Sequence, residues 1–362
     1  MSAFSIEALL TLFAVPGIGP ARMRKLISFF GTPQDVLNAS ARQLISVEGI
    51  EAKTADKIKS AHDTHFVKIQ LDKIKKYDAH ILTFWDKAYP DRLKRIFDPP
   101  VFLFVKGDIS LLERHSIGIV GTRVPTSYGK AVTEQLSREL IQNELVIISG
   151  FARGVDTIAH HAALNAGGKT IAVLGNGLDI IYPAENKKLL DNFANDGLFI
   201  SEYPFGTNPD GGNFPKRNRI ISGISIGILI TEAGAKSGAL LTAMYALDQN
   251  REVFAVPGAI TSGNSSGTNS LIKQGAKLVS GIDDILSELT AYIDINTGKE
   301  KPEPKLNKQE KAIYGLLKQE PLHIDQIALK AEISSSEALT TLLTMELSGV
   351  VRQMAGKMFT II

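Results

Sequence analysis

Glycine placement constrains this chain more than any other feature: 22 of its 31 glycines fall between residues 116 and 281, under half of the 362 residues. Within that stretch, short apolar runs at 117–120, 145–148, 170–174, 198–200, 226–230 and 253–256 each lead through Gly, Ser, Glu or Pro into a helical pattern. Repetition of strand, turn and helix predicts an open, mostly parallel α/β sheet with helices on both faces. Ligands of such sheets bind at the carboxyl ends of the strands, where these turns lie.

The flanks read differently, and the length suits two or three domains. Residues 1–65 form a helical, helix-hairpin-helix-like unit. Val15-Pro16-Gly17-Ile18-Gly19-Pro20 precedes a helix over 21–30, and Val47-Glu48-Gly49-Ile50 precedes one over 53–61. The first copy suits a phosphodiester, which such a turn meets with backbone N–H groups. In the second, Glu51 replaces the second glycine. Seven Lys/Arg against six Asp/Glu through Thr64 predict weak DNA affinity there, and a structural or docking role is equally open. Residues 66–115 read as a connector into the sheet domain, 116–297. A charged, proline-bearing linker over 298–306 follows. Residues 307–362, with three helical patterns and a hairpin around Ala355-Gly356, predict a winged helix. Its presumptive recognition helix, 334–348, carries Glu337 and Glu346 and no Lys or Arg, which favours protein contacts over duplex DNA.

Several classes are excluded. Zero cysteines rule out disulfides, thiolate metal sites and a Cys nucleophile. A net charge of +2 means that any nucleic-acid site must be a local cluster. No apolar run approaches a membrane span, and the apolar N-terminus lacks a cationic start and carries Glu7, so the expectation is a soluble, cytoplasmic protein. Gly168-Lys169-Thr170 fails as a P-loop because Ala163 replaces the required glycine and Thr170 opens a strand. Gly175-Asn176-Gly177 fails as a dinucleotide fingerprint because Ile180 holds the third glycine position. Asp156, His160 and His161 lack a third metal ligand at fitting spacing, so Asp156 reads as a helix-dipole partner. No cofactor or metal is expected.

Three turns favour anions. Gly121-Thr122-Arg123 offers a close backbone approach, a hydroxyl and a planar guanidinium. Ser149 to Gly154 is a second glycine-bearing turn. Thr231-Glu232-Ala233-Gly234-Ala235-Lys236-Ser237-Gly238 is a third, in which Glu232 meets a ribose or base edge or holds Lys236. Phe214-Pro215-Lys216-Arg217-Asn218-Arg219 sets three cations at a helix start, against the dipole, beside a face on which a base can stack. Together these imply a groove for a polyphosphate strand. If Lys216, Arg217 and Arg219 each neutralise one phosphate, their joint removal lowers the salt slope of binding by about 2.

The same residues carry a resemblance. Ile119-Val120-Gly121-Thr122-Arg123, Ser149-Gly150-Phe151-Ala152-Arg153-Gly154-Val155-Asp156 with Ala159-His160, and Leu174-Gly175-Asn176-Gly177-Leu178-Asp179 with Tyr182-Pro183 occur in the order of one family. Ser201-Glu202-Tyr203-Pro204, the 214–219 run, the 231–238 turn and Val256-Pro257-Gly258 complete the set. Over residues 70–290 the chain resembles the DNA-processing protein A family, DprA or Smf. The resemblance implies an extended Rossmann-like domain that binds single-stranded DNA without catalysis. It also implies a homodimer that protects incoming DNA and helps load the recombinase RecA onto it in natural transformation and homologous recombination. By motif position, Thr122, Arg123, Phe214, Lys216, Arg217, Asn218 and Arg219 would form the strand pocket, with Gly121 at the same turn. Gly234, Ser237 and Gly238, with Lys236 between them, would line its neighbour. The competing reading is an enzyme, a Rossmann-type nucleotide phosphoribohydrolase, in which Glu232 would serve a nucleoside monophosphate; one phosphate clamp would then suffice, whereas this chain offers several. A transcriptional regulator acting through the last domain is disfavoured by its acidic helix.

Overall fold

The computed structural model describes residues 4–61, 64–190, 193, 196–290, 292, 306–317, 322–348, 350–354 and 357–361. The chain divides into two compact units, Met1–Ile295 and Asn296–Ile362. The expected linker over 298–305 and the Ala355-Gly356 turn lie outside the described residues.

The first unit opens with five short helices, α1 (Ile6–Phe13), α2 (Pro20–Phe30), α3 (Pro33–Asn38), α4 (Ala41–Ile45) and α5 (Ala52–Lys59). Both hairpin turns share one geometry. Gly17 and Gly49 take φ of +93° and +86°, which a side chain resists, and Ile18 and Ile50 N–H donate to the carbonyls of Val15 and Val47. The apolar residues of both turns are buried, so each turn is anchored from beneath. Lys57 Nζ and Arg22 donate to the carbonyls of Pro16 and Gly17 in the first turn.

Residues 66–115, expected to be a connector, hold most of α6 (Thr64–Lys76) and then β1 (His80–Thr83), α7 (Asp91–Lys94) and β2 (Phe102–Gly107). The Rossmann-like part follows: β3 (Ser116–Val120), α8 (Ser127–Gln142), β4 (Val146–Ser149), α9 (Val155–Asn165), β5 (Thr170–Leu174), β6 (Gly197–Ser201) and α10 (Asn213–Ile224). It continues through β7 (Gly227–Ile230), α11 (Gly238–Asp248), β8 (Glu252–Ala255), α12 (Ser266–Lys273), β9 (Lys277–Leu278) and α13 (Ile282–Glu288). Among the described residues the strands form one nine-stranded sheet, ordered β1-β2-β6-β5-β4-β3-β7-β8-β9. From β6 to β9 all pairings are parallel, while β1 and β2 add antiparallel at one edge, as expected of a mostly parallel α/β fold. The central strands are buried along their whole length, as strands covered on both faces must be.

The second unit contains α14 (Lys308–Leu317), β10 (Leu322–His323), α15 (Ile324–Lys330), α16 (Ser335–Leu347), β11 (Val351–Met354) and β12 (Met358–Ile361), a winged helix with strand order β10-β12-β11. The two acids of α16 have internal work. Glu337 closes a capping box with Ser334, and the Glu346 carboxylate accepts the Gln353 N–H at 2.9 Å. Among the described residues no helix is long and apolar enough to cross a membrane.

Candidate nucleic-acid interface

The turns after β3, β4 and β7 meet at the carboxyl edge of the sheet, where β3 is flanked by β4 on one side and β7 on the other. With the starts of α10 and α11 they enclose an open cavity of about 580 Å³. Gly121 ends β3 where no side chain fits: a Cβ would stand 2.6 Å from Val155 and 2.8 Å from the Glu232 carbonyl. Thr122 N–H donates to that carbonyl at 2.7 Å, and the Thr122 carbonyl accepts from Val155 N–H at 3.2 Å. The Thr122 hydroxyl oxygen accepts from Val124 N–H, so its proton remains for an outside acceptor. The next residue, Arg123, is exposed, with its guanidinium 5.7 Å from the centroid of the Phe214 ring.

Phe214 lies against the backbone of Gly175, where a Cβ would meet its ring at 2.7 Å. Tyr182 stacks on it, with centroids 5.7 Å apart and planes 27° apart. Tyr182 is an exposed aromatic that its residue type alone does not assign to the site; the Tyr182-Pro183 pair is its signal in the sequence. A cation and two rings in one column suit a phosphate and an unstacked base. Across the cavity, Ser237 caps α11 by accepting from Ala239 N–H. Gly234, Lys236 and Gly238 also line this wall, at a helix start where anions are favoured.

The structure corrects three expectations. First, the turn from Ser149 to Gly154 does bind an anion, but an internal one. The Asp156 carboxylate accepts the N–H groups of Gly150 and Ala152 at 3.1 and 3.3 Å, so they are not offered to a ligand. Second, Glu232 turns to Thr126 and not to Lys236. It is buried, and its carboxylate accepts both the N–H and the hydroxyl of Thr126 at 2.8 Å, fixing the start of α8. The residue that an enzymatic reading would use is therefore committed to the fold.

Third, the cation run of α10 is split. Arg217 is only 3% exposed and donates to the carbonyls of Gly150 and Val173 beneath the cavity floor. Burial lowers its pKa to about 10, opposed chiefly by Asp156, while burial raises the Asp156 carboxyl against the pull of Arg217. Arg219 Nη2 donates to both carboxylate oxygens of Glu202 at 2.8 Å and lies 3.9 Å from Asp98. Burial holds the Glu202 carboxyl above its ordinary range, with Arg219 opposing. Neither Arg219 nor the exposed Lys216 lines the cavity, whereas Gly121, Thr122, Arg123, Phe214, Arg217, Asn218, Gly234, Lys236, Ser237 and Gly238 do. The conflict between cations and helix dipole is thus relieved inside the protein at two of the three positions.

Sequence comparison bears on this arrangement directly. Residues 80–290 match the DNA recombination-mediator protein A family. The chain belongs to that family. Residues 297–357 match the DprA winged helix domain and residues 8–62 a SAM-like helix-hairpin-helix tandem. Protein Smf of Synechocystis sp. is 34% identical over 378 residues, covering 94% of this chain and 95% of that protein. The DNA processing protein DprA of Bacillus subtilis is 48% identical over 204 residues, 56% of this chain and 69% of that one. The X-ray structure of DNA processing protein A from Streptococcus pneumoniae superposes with a TM-score of 0.71 at 36% identity, covering 79% of this chain and 99% of its own. DNA processing protein A from Helicobacter pylori, studied for its single-stranded DNA binding mode, gives a TM-score of 0.54 at 36% identity, over 60% and 98%.

Proposed function

We propose that this chain binds single-stranded DNA in the groove at the carboxyl edge of its sheet, without a chemical step. In this reading it protects incoming DNA and helps to load RecA onto it in natural transformation and homologous recombination, working as a homodimer. The observation that carries the binding is Arg123 set over Phe214, a ring on which Tyr182 stacks, in a cavity that the glycine-rich start of α11 also lines. It offers phosphate contacts and stacking faces, which hold a strand without reading its bases. The family membership and the Helicobacter pylori relative support the choice of single strands. RecA loading and the homodimer rest on the family resemblance.

The test is oligonucleotide binding across a salt series. Arg123→Ala should remove one phosphate contact and flatten the log K against log salt slope by about 0.7. Arg123→Lys should rescue binding in part, because the planar fork is lost. Phe214→Ala should lower affinity by about 1–3 kcal/mol per stacked base while leaving the slope nearly unchanged. A folded Arg123→Ala protein with wild-type affinity and slope would take the strand out of this groove.

A further inference from the structure

The opposite edge of the sheet carries a second basic cavity. Its lining comes from α7 and its flanks and from residues just before β3, β7 and β8, which puts it at the amino ends of those strands. The cavity measures about 510 Å³ and is lined by Lys87, Arg92, Arg95 and Arg251, with Tyr292 at its side. Two acids share the lining, Asp91 and Glu113; Asp91 pairs outward with Lys94 at 3.5 Å. Among the described residues no carboxylate lies within salt-bridge distance of Arg92, Arg95 or Arg251, whereas Arg24, Arg153 and Arg219 all have one.

The arginines are held in place by backbone and ring contacts. Arg251 donates to the carbonyls of Arg92 and Gly223 at 3.1 and 3.4 Å, and its Nε is buried with no hydrogen-bond partner. The Arg92 guanidinium sits 5.4 Å from the centroid of the Tyr292 ring. Lys87 and Arg95 are exposed at the rim. Burial lowers the pKa of Arg251, and the neighbouring Arg92 and Arg95 lower it further; burial and then Arg92 lower that of His115 nearby. Four cations share this lining with two acids, which leaves it a net positive charge open to an outside anion.

We propose that this cavity is a second backbone-binding site for single-stranded DNA, engaged by a strand long enough to pass from the carboxyl-edge groove around to the amino edge. Three of its four cations are arginines, whose planar forks match phosphate oxygens in pairs. The Tyr292 ring beside them favours a nucleic acid over an acidic polypeptide, because a base gains from an aromatic face and a carboxylate does not. The proposal rests on the single-strand reading of the first groove.

The test compares oligothymidines of about 8 and about 40 nucleotides, one within and one beyond the roughly 4–16 nucleotides that a single platform covers. The full chain carries Lys87→Glu together with Arg95→Glu, both at exposed positions, and thermal midpoints check the fold. The long strand should lose about tenfold in affinity, with its salt slope flattened by about 0.7 for each lost contact, while the short strand binds as in wild type. Unchanged affinity and slope for the long strand would overturn the proposal, whether or not polyglutamate binds the cavity. Failure of the first groove looks different: Arg123→Ala would then leave short-strand binding unaltered.

Discussion

Arg217 and Arg219 stand two positions apart on α10, and residues at that spacing do not share a helix face. One therefore reaches under the cavity to Gly150 and the other reaches away to Glu202. Removing both does not count phosphates: loss of Arg217 strips the buried Gly150 and Val173 carbonyls of their donor and takes away the charge that opposes burial of the Asp156 carboxyl, so the fold is disturbed as well as the groove. The salt-slope change of about 2 expected from the run shrinks to about 0.7 at most, since Lys216, outside the cavity lining, is the one exposed cation of the three. His160 makes a further residue-scale prediction. The Thr170 hydroxyl donates to the Ile147 carbonyl and so accepts from His160 Nδ1–H at 2.7 Å, leaving Nε2 buried without a partner. Burial, with His161 and Arg217 adding to it, takes the His160 pKa from 6.5 to about 3. The folded value lies below the unfolded one, so His160 adds no pH dependence to stability above about pH 6.5. Between there and about pH 3 the unfolded chain binds a proton that the folded chain refuses, and stability falls by about 1.4 kcal/mol per pH unit. Denaturation midpoints of wild type and His160→Gln, followed from about pH 7 to about pH 4.5, should converge on acidification. Parallel curves would show that another group controls the acid limb.

At the scale of elements, the groove depends on two loops that do not touch in sequence. Glu232, two residues after β7, holds Thr126 at the start of α8, while its own carbonyl accepts Thr122 N–H after β3. The contact is close enough to dictate a glycine on the helix: a Cβ at Gly129 would stand 2.2 Å from the Glu232 carboxylate. Hydrogen bonds to a charged group contribute about 1.5–3 kcal/mol each. Glu232→Ala should therefore lower the denaturant midpoint clearly, and binding should weaken only as far as the 121–126 loop loosens. A variant of wild-type stability would mean that the clamp is dispensable.

At the scale of the molecule, the amino-terminal helices are not an appendage. Leu9, Leu12, Met23 and Leu26 share one apolar cluster with Phe102 and Phe104 of β2 and with Phe205. Arg24 adds an ion pair with Asp98 at 3.5 Å. Deleting residues 1–61 should strip that cluster of its cover and give an insoluble or much less stable protein, because a large apolar patch invites association. A chain ending at Ile295 should fold and still bind single-stranded DNA, since the division between the two compact units falls there. Thermal melts and oligonucleotide titrations of both truncations check the pair of outcomes. A stable helix-deleted protein, or an insoluble chain ending at Ile295, would reverse this picture.

The mostly parallel core of the sheet, the two hairpin turns and the winged helix are all legible in the order of the residues. Each is encoded within a few residues: β5 spans Thr170–Leu174 as its apolar run does, and Gly17 and Gly49 mark turns that need positive φ. The loops around the groove were legible for the same reason, since glycine after a strand is a local signal. Tertiary structure alone decided which charges remain free for a ligand. Arg219 meets Glu202 from 17 positions away and Glu232 meets Thr126 from 106, and spacing along the chain does not specify such pairs. It also decided the edge of the sheet, where β1 and β2 pair antiparallel beneath the helices. A strand's place in a sheet depends on the neighbours that accept its hydrogen bonds, and those neighbours exist only once the chain has folded.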